Sequence, residues 1–92
     1  ADIVYVESIK HRLDVHTVSD TFSITSTLKA MEEQLAGHDF FRSNSCYLVN
    51  LAHVRGVADQ ECLMTGGDSL RISRPRKKAF MTTLASFAGR IH

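Results

Sequence analysis

Five basic side chains, Arg71, Arg74, Arg76, Lys77 and Lys78, fall within eight consecutive positions near the end of the chain. Pro75 sits among them and reads as a first helical position, where its missing N–H is harmless. A helix start carries a partial positive charge, so each base there is disfavoured by about 0.3–1 kcal/mol. Stability alone does not select that arrangement. An anion held at the site does, because free N–H groups, helix dipole and cationic side chains then all face it. Nucleic acid, an anionic membrane and a phosphorylated ligand are the candidate anions; a solvated basic edge is the plain alternative.

Two further clusters carry polar chemistry. Lys10-His11-Arg12 falls in a connection between strands. All three side chains donate hydrogen bonds, and His and Arg can meet a guanine edge in the major groove. For three residues taken alone, a solvent-exposed turn is the better reading. Ser43-Asn44-Ser45 follows Arg42. Small hydroxyl and amide side chains on a loop can enter a narrow groove or contact phosphate, and they are also ordinary turn chemistry. Arg42 itself suits a phosphate contact or a brace for its own loop.

Catalytic and metal chemistry find little support. Ser73 has no obvious base, and His53 has no carboxylate at a telling spacing. Gly66-Gly67 lacks the Lys-Ser/Thr continuation of a phosphate-binding loop. Cys46 and Cys62 form no C-x-x-C, and the five histidines supply no partner at ligand spacing. No cofactor and no metal is expected, and no enzyme activity. The cysteines read as reduced, partly buried thiols, which points to a cytoplasmic protein.

The elements that must position these clusters follow from periodicity. Residues 3–7 read as a buried strand, and residues 13–17 and 22–25 alternate as half-buried strands around a turn at Ser19-Asp20. A helix follows, capped by Ser26 or Thr27, with Leu28, Met31 and Leu35 on one face, Glu32 and Glu33 outside, and Gly37 past its end. Phe40-Phe41-Arg42 and the polar loop precede a strand at 46–50. Residues 54–57 read as a short strand, and 61–64 and 69–73 as a hairpin around Gly66-Gly67-Asp68. In the closing helix Phe80, Leu84, Phe87 and Ile91 form one stripe. The fold class is α+β with strands in the majority.

The whole chain has 92 residues, 43% of them hydrophobic, and a formal net charge of +1. This is the size and composition of one globular domain, and it excludes disorder as the main state. The longest apolar runs, Ile3-Val4-Tyr5-Val6 and Cys46-Tyr47-Leu48-Val49, are far too short to span a membrane. The net charge hides a partition. Residues 1–68 hold all ten acids and five bases, a net −5, whereas residues 69–92 hold six bases and no acid, a net +6. A near-neutral chain with one dense basic segment is suited to holding an anion in one place.

Phe40-Phe41-Arg42, four further residues and then Tyr47-Leu48-Val49-Asn50 resemble the central signature of the LytTR (LytR/AlgR-type) DNA-binding domain. Leu70-Arg71-Ile72-Ser73-Arg74, followed by basic residues and an apolar helix, resembles that family's closing motif, and Ile3-Val4-Tyr5-Val6-Glu7 its opening strand. The resemblance covers nearly the whole chain. It implies small antiparallel sheets with short helices, including a C-terminal one, and loops rather than a recognition helix that enter DNA. Such domains place loops in two successive major grooves across a minor groove and bend the duplex. Most are outputs of two-component response regulators in bacteria and bind tandem direct repeats.

On the matching positions, the resemblance puts His11 at the first-loop base reader and Asn44 and Ser45 in the loop approaching the minor groove. Arg74 and Arg76 flank the other major-groove reader. There the family often carries a basic residue right after the Ser-Arg pair, and this chain has Pro75. The base contact passes to Arg74 or Arg76 or is lost, which leaves the target sequence open. Lys10, Arg12, Arg42, Arg71, Ser73, Lys77 and Lys78 are the expected phosphate contacts. The expected partners are double-stranded DNA, a receiver domain in the full-length regulator and a second copy on DNA, with no membrane. The 92 residues then read as one output domain from the C-terminal part of a longer protein. Two other readings stand beside this one. One is a membrane-surface or protein-interaction module using the basic final helix. The other is a small enzyme for a phosphorylated ligand, which lacks a general base.

Overall fold

Residues 2–90 are described by a computed structural model, and they form eight strands and two helices. In chain order these are β1 (Ile3–Ile9), β2 (Arg12–Thr17), β3 (Thr21–Ile24), α1 (Leu28–Gln34), β4 (Phe40–Arg42), β5 (Tyr47–Asn50), β6 (Val54–Ala58), β7 (Glu61–Met64), β8 (Ser69–Arg71) and α2 (Lys77–Arg90). Short 3-10 turns at Leu51–His53 and Arg74–Arg76 lead into β6 and α2. All strand pairing is antiparallel. One sheet has the order β3-β2-β1-β5-β4 and the other β6-β7-β8.

The two apolar runs supply the paired strands β1 and β5 inside the larger sheet, where Val6 faces Leu48 and Tyr5 faces Val49. Continuous apolar sequence is what a strand buried on both faces requires. One face, with Val6, Leu13, Val15 and Leu48, is covered by Leu28 and Met31 of α1. The other, with Val4, Tyr5 and Val49, packs against Cys62, Met64 and Leu70 of the smaller sheet and Phe80 of α2. Val4 and Tyr5 share that second face because the register with β2 slips between Ile3 and Tyr5. Such a bulge puts two residues opposite one.

Thr27 is the cap of α1, its Oγ1 accepting the Ala30 N–H at 3.1 Å. Gly66 and Gly67 take φ of +98° and +102° in the β7–β8 turn, a backbone that side chains with a Cβ rarely adopt. That turn is tied to the larger sheet by the Tyr5 hydroxyl, which donates to Asp68 at 2.9 Å. Phe80 is fully buried and meets Phe41 edge to face at 5.5 Å. Burying such a side chain stabilises the fold by roughly 1.5–3 kcal/mol. Leu84 and Phe87 pack against the same core, so the stripe on α2 is spent inside the protein; Ile91 lies outside the described residues. Among the described residues no helix is long and apolar enough to cross a membrane.

Several expected boundaries shift. The first strand runs on to Ile9, which narrows the basic corner to the turn Lys10-His11, while Arg12 already opens β2. The reason is main-chain pairing, with Ile9 opposite Arg12, which the polar side chains conceal. Phe40–Arg42 forms an edge strand against β5. The hairpin strand ends at Arg71, because the Ile72 N–H turns to Gln60 and the Ser73 N–H to Ser43. Pro75 lies in the 3-10 turn that precedes α2. Cys46 is exposed, whereas Cys62 is buried. Burial pushes the Cys62 thiol up to about 11.

Candidate nucleic-acid interface

The four residues between β4 and β5 form a loop that holds its own shape. Asn44 Oδ1 accepts the N–H groups of Cys46 at 2.7 Å and Tyr47 at 3.0 Å, and the Ser43 N–H donates to the Tyr47 carbonyl. An Asn side chain bonding main chain two and three residues on is a local turn device. Half of the Asn44 amide is therefore used by the loop, leaving Nδ2 as its remaining donor. Arg42 Nη2 reaches the Ser45 carbonyl at 3.3 Å, and Nη1 lies 3.6 Å from Glu32 of α1. Of the two roles open to Arg42, the brace is the one its contacts show. Ser45 stays exposed.

Ser43 joins this loop to the basic segment. It is fully buried, its Oγ donates to the Arg71 carbonyl at 3.0 Å, and its own carbonyl accepts the Ser73 N–H at 2.8 Å. Two clusters 28 residues apart thus share one hydrogen-bonded seam. No spacing rule in the sequence announces such a contact.

The Lys10-His11 turn completes the edge. Lys10 takes φ +54°, a left-handed conformation costing about 1–2 kcal/mol for a residue with a Cβ. Both side chains project into solvent. The Ser8 N–H donates to the Cys46 carbonyl at 2.8 Å, which sets this turn beside the 43–46 loop. A cleft of about 340 Å³ opens there, lined by Lys10, His11, Thr27, Lys29, Arg42 and Ser45 among others. Lys29 did not emerge from sequence reasoning. Its one signal is that it is the only base on a short helix whose other charged residues are Glu32 and Glu33. Arg12 points into an ion pair with Asp14 at 3.0 Å. The bond from Arg12, and a second from Ser23, hold the Asp14 carboxyl below the usual aspartate range.

The closing basic segment lies on the far side of the Ser43 seam. Ser73 caps the 3-10 turn with no side-chain bond, so its hydroxyl is uncommitted. Arg71, Arg74, Arg76 and Lys78 are exposed, and Lys77 donates to the Asp59 carbonyl. Among the described residues none of these five cations is in an ion pair, whereas Arg90 pairs with Asp39. The edge therefore gathers exposed cations, an exposed imidazole and loop hydroxyls, held by main-chain bonds. Phosphate oxygens and base edges in a groove are the ligands this set fits. Among the described residues no group of three or more metal-ligating side chains comes together.

The family model of the LytTr DNA-binding domain matches residues 1–85. Among solved structures, the chain resembles the LytTr DNA-binding domain of a protein from Bacillus cereus named as a methyl-accepting/DNA response regulator. The TM-score is 0.80 at 19% sequence identity, covering 90% of this chain and 81% of that one. At that identity the likeness concerns the fold. A search of curated proteins found no match.

Proposed function

The chain belongs to the LytTr DNA-binding domain family, and from that premise we propose that it reads a specific double-stranded DNA site through loops set in the grooves. The resulting occupancy regulates transcription, with the domain acting as the output part of a response regulator. The observation that carries this reading is the seam at Ser43, which joins the 43–46 loop to the basic segment, with the Lys10-His11 turn beside it. Three polar clusters scattered over the sequence become one edge, on which Lys10, Arg71, Arg74, Arg76, Lys77 and Lys78 have no ion-pair partner among the described residues.

His11 is the reader on the first turn, and Arg74 or Arg76 the reader on the last. A bidentate arginine–guanine pair contributes roughly 1–3 kcal/mol of discrimination. Ser45, with the Asn44 Nδ2 group, faces the groove between them. Lys10, Arg71 and Lys78 take phosphates, as does the Ser73 hydroxyl. Arg12, Arg42 and Lys77 already have protein partners, so their contribution to phosphate binding comes after, and through, the positions those partners fix. A single edge of this kind covers one half-site, so tandem direct repeats would be occupied by two copies. A receiver domain in the same polypeptide would set when that happens.

Selection of bound sequences from a random DNA library tests the reading. The expected result is one enriched motif, recurring at fixed spacing. Affinity for it should fall with salt at a log–log slope near −5, the value for about six neutralised phosphates. No enrichment together with a flat salt response would overturn the reading.

A further inference from the structure

We propose that Lys29 is a phosphate contact, so that the DNA footing extends from the β1–β2 turn across the cleft onto α1. This rests on the DNA-binding reading above and adds to it a phosphate contact from outside the loops. Lys29 is exposed on the first turn of α1 and shares the cleft with Lys10, His11 and Arg42. Glu32 and Glu33 stand three and four residues further along the same helix, the spacing at which a lysine ordinarily finds an acidic partner. Lys29 pairs with neither. Glu32 turns instead to Arg42 at 3.6 Å, which neutralises the guanidinium that braces the loop.

The consequence is a division of labour inside the cleft. Arg42 is held by Glu32 and by the Ser45 carbonyl, and Thr27 Oγ1 is held by the Ala30 N–H. Lys10, from the β1–β2 turn, and Lys29, from α1, remain as ammonium groups lining the same cleft with no ion-pair partner among the described residues. Two such groups flanking the turn that carries His11 fit the phosphate run bordering the groove that His11 enters. A lysine in that place adds affinity and carries no sequence information.

The test is DNA binding by the whole chain carrying Lys29→Gln, titrated over salt on the selected site and on an unrelated duplex. The salt slope should become shallower by about 0.9, the value of one phosphate contact. Between 50 and 200 mM salt the wild-type advantage should therefore shrink about threefold, by the same relation. The loss should be alike on both duplexes, and Lys29→Arg should restore the slope. Phosphate-ethylation interference should lose a signal bordering the His11 groove in the Gln variant. Wild-type binding with an unchanged slope for Lys29→Gln overturns this proposal and leaves the DNA reading standing. A loss confined to the selected site overturns the phosphate role. No binding by the wild type to any DNA overturns the underlying reading itself. Circular dichroism shows whether the Gln variant is folded, and the Arg variant keeps the test decisive if it is not.

Discussion

Replacing Ser43 with Ala removes one hydroxyl from a fully buried site and nothing else. The hydroxyl's bond to the Arg71 carbonyl, 3.0 Å long, is lost, while the main-chain bonds of Ser43 to Tyr47 and Ser73 survive because they do not use the side chain. A carbonyl left without its donor costs about 1–3 kcal/mol. A domain of this size unfolds with about 5–14 kcal/mol. At the middle of the range, about 2 kcal/mol, the variant stays folded at room temperature but melts roughly 8–16 °C lower. Ser45→Ala is the matched control. Ser45 is exposed and its carbonyl, not its hydroxyl, holds Arg42, so the substitution should change stability by less than about 0.5 kcal/mol. It should instead weaken DNA binding. Urea and thermal unfolding, followed beside anisotropy titrations, separate the two effects. If Ser43→Ala melts with the wild type at unchanged urea slope, the seam contributes no net stability. The account of how the two clusters are held together then fails.

His11→Ala should flatten the preference between the selected site and its single-base variants, whereas Lys78→Ala should lower affinity alike on all of them; competition titrations on a panel of duplexes read both, and equal losses for the two variants would contradict the reader role. Phe80→Ala should destabilise by about 3–5 kcal/mol, measured by urea unfolding, since it empties a fully buried ring site against Phe41. A thiol reagent should label Cys46 in the native protein and Cys62 only after unfolding, with mass spectrometry of peptides as the readout. The Cys62 thiol is pushed by burial from an ordinary 9.0 to about 11, so it favours the neutral form in the folded state. Its contribution is complete below pH 9 and is lost as pH rises towards 11, which alkaline unfolding curves of wild type and Cys62→Ala should show.

Much of the fold was legible because burial writes itself into side-chain pattern. Two four-residue apolar runs mark the strands buried on both faces, and alternation marks β2; β3 alternates in sequence as well, yet as an edge strand it leaves Phe22 exposed and only Ile24 partly covered. The i, i+3, i+7 apolar spacing of Leu28, Met31 and Leu35 marks α1. What escaped is held by main chain. Ser8 and Ile9 continue β1 through backbone bonds, whatever their side chains suggest. Phe40–Arg42 forms an edge strand three residues long, below the length at which any period is visible. The candidate site divides the same way. Its cations could be listed from the sequence, since charge type needs no fold. Their joining through a buried serine hydroxyl and one carbonyl could not, because every Ser in a polar loop looks alike until one is found at zero exposure. Lys29 escaped because a single lysine on a helix is unremarkable until the cleft beside it is seen.

The charge partition gains its meaning only when the pairs are placed. Net −5 over residues 1–68 and +6 over residues 69–92 would be compatible with two halves that simply attract each other. The fold does not use the charges that way. Arg12 and Arg42 are matched by Asp14 and Glu32 from their own half, and across the boundary the one ion pair found among the described residues is Arg90 with Asp39. Of the six bases in the closing segment, Arg90 is the one farthest from the cluster, at the other end of α2. Among the described residues the remaining five bases of the closing segment have no acidic partner; four of them, Arg74, Arg76, Lys77 and Lys78, stand at or just before the start of α2, where cations are least favoured, and Arg71 ends β8. An exposed cation costs little in water, so five of them could persist there with no ligand at all. Solvation, however, does not explain why three acids of the first half, Asp14, Glu32 and Asp39, pair with Arg12, Arg42 and Arg90 while, among the described residues, none pairs with the bases at the helix start. A polyanion that completes the edge does explain it. The same reasoning makes the salt slope, rather than the affinity, the measurement that decides how many of these charges the partner uses.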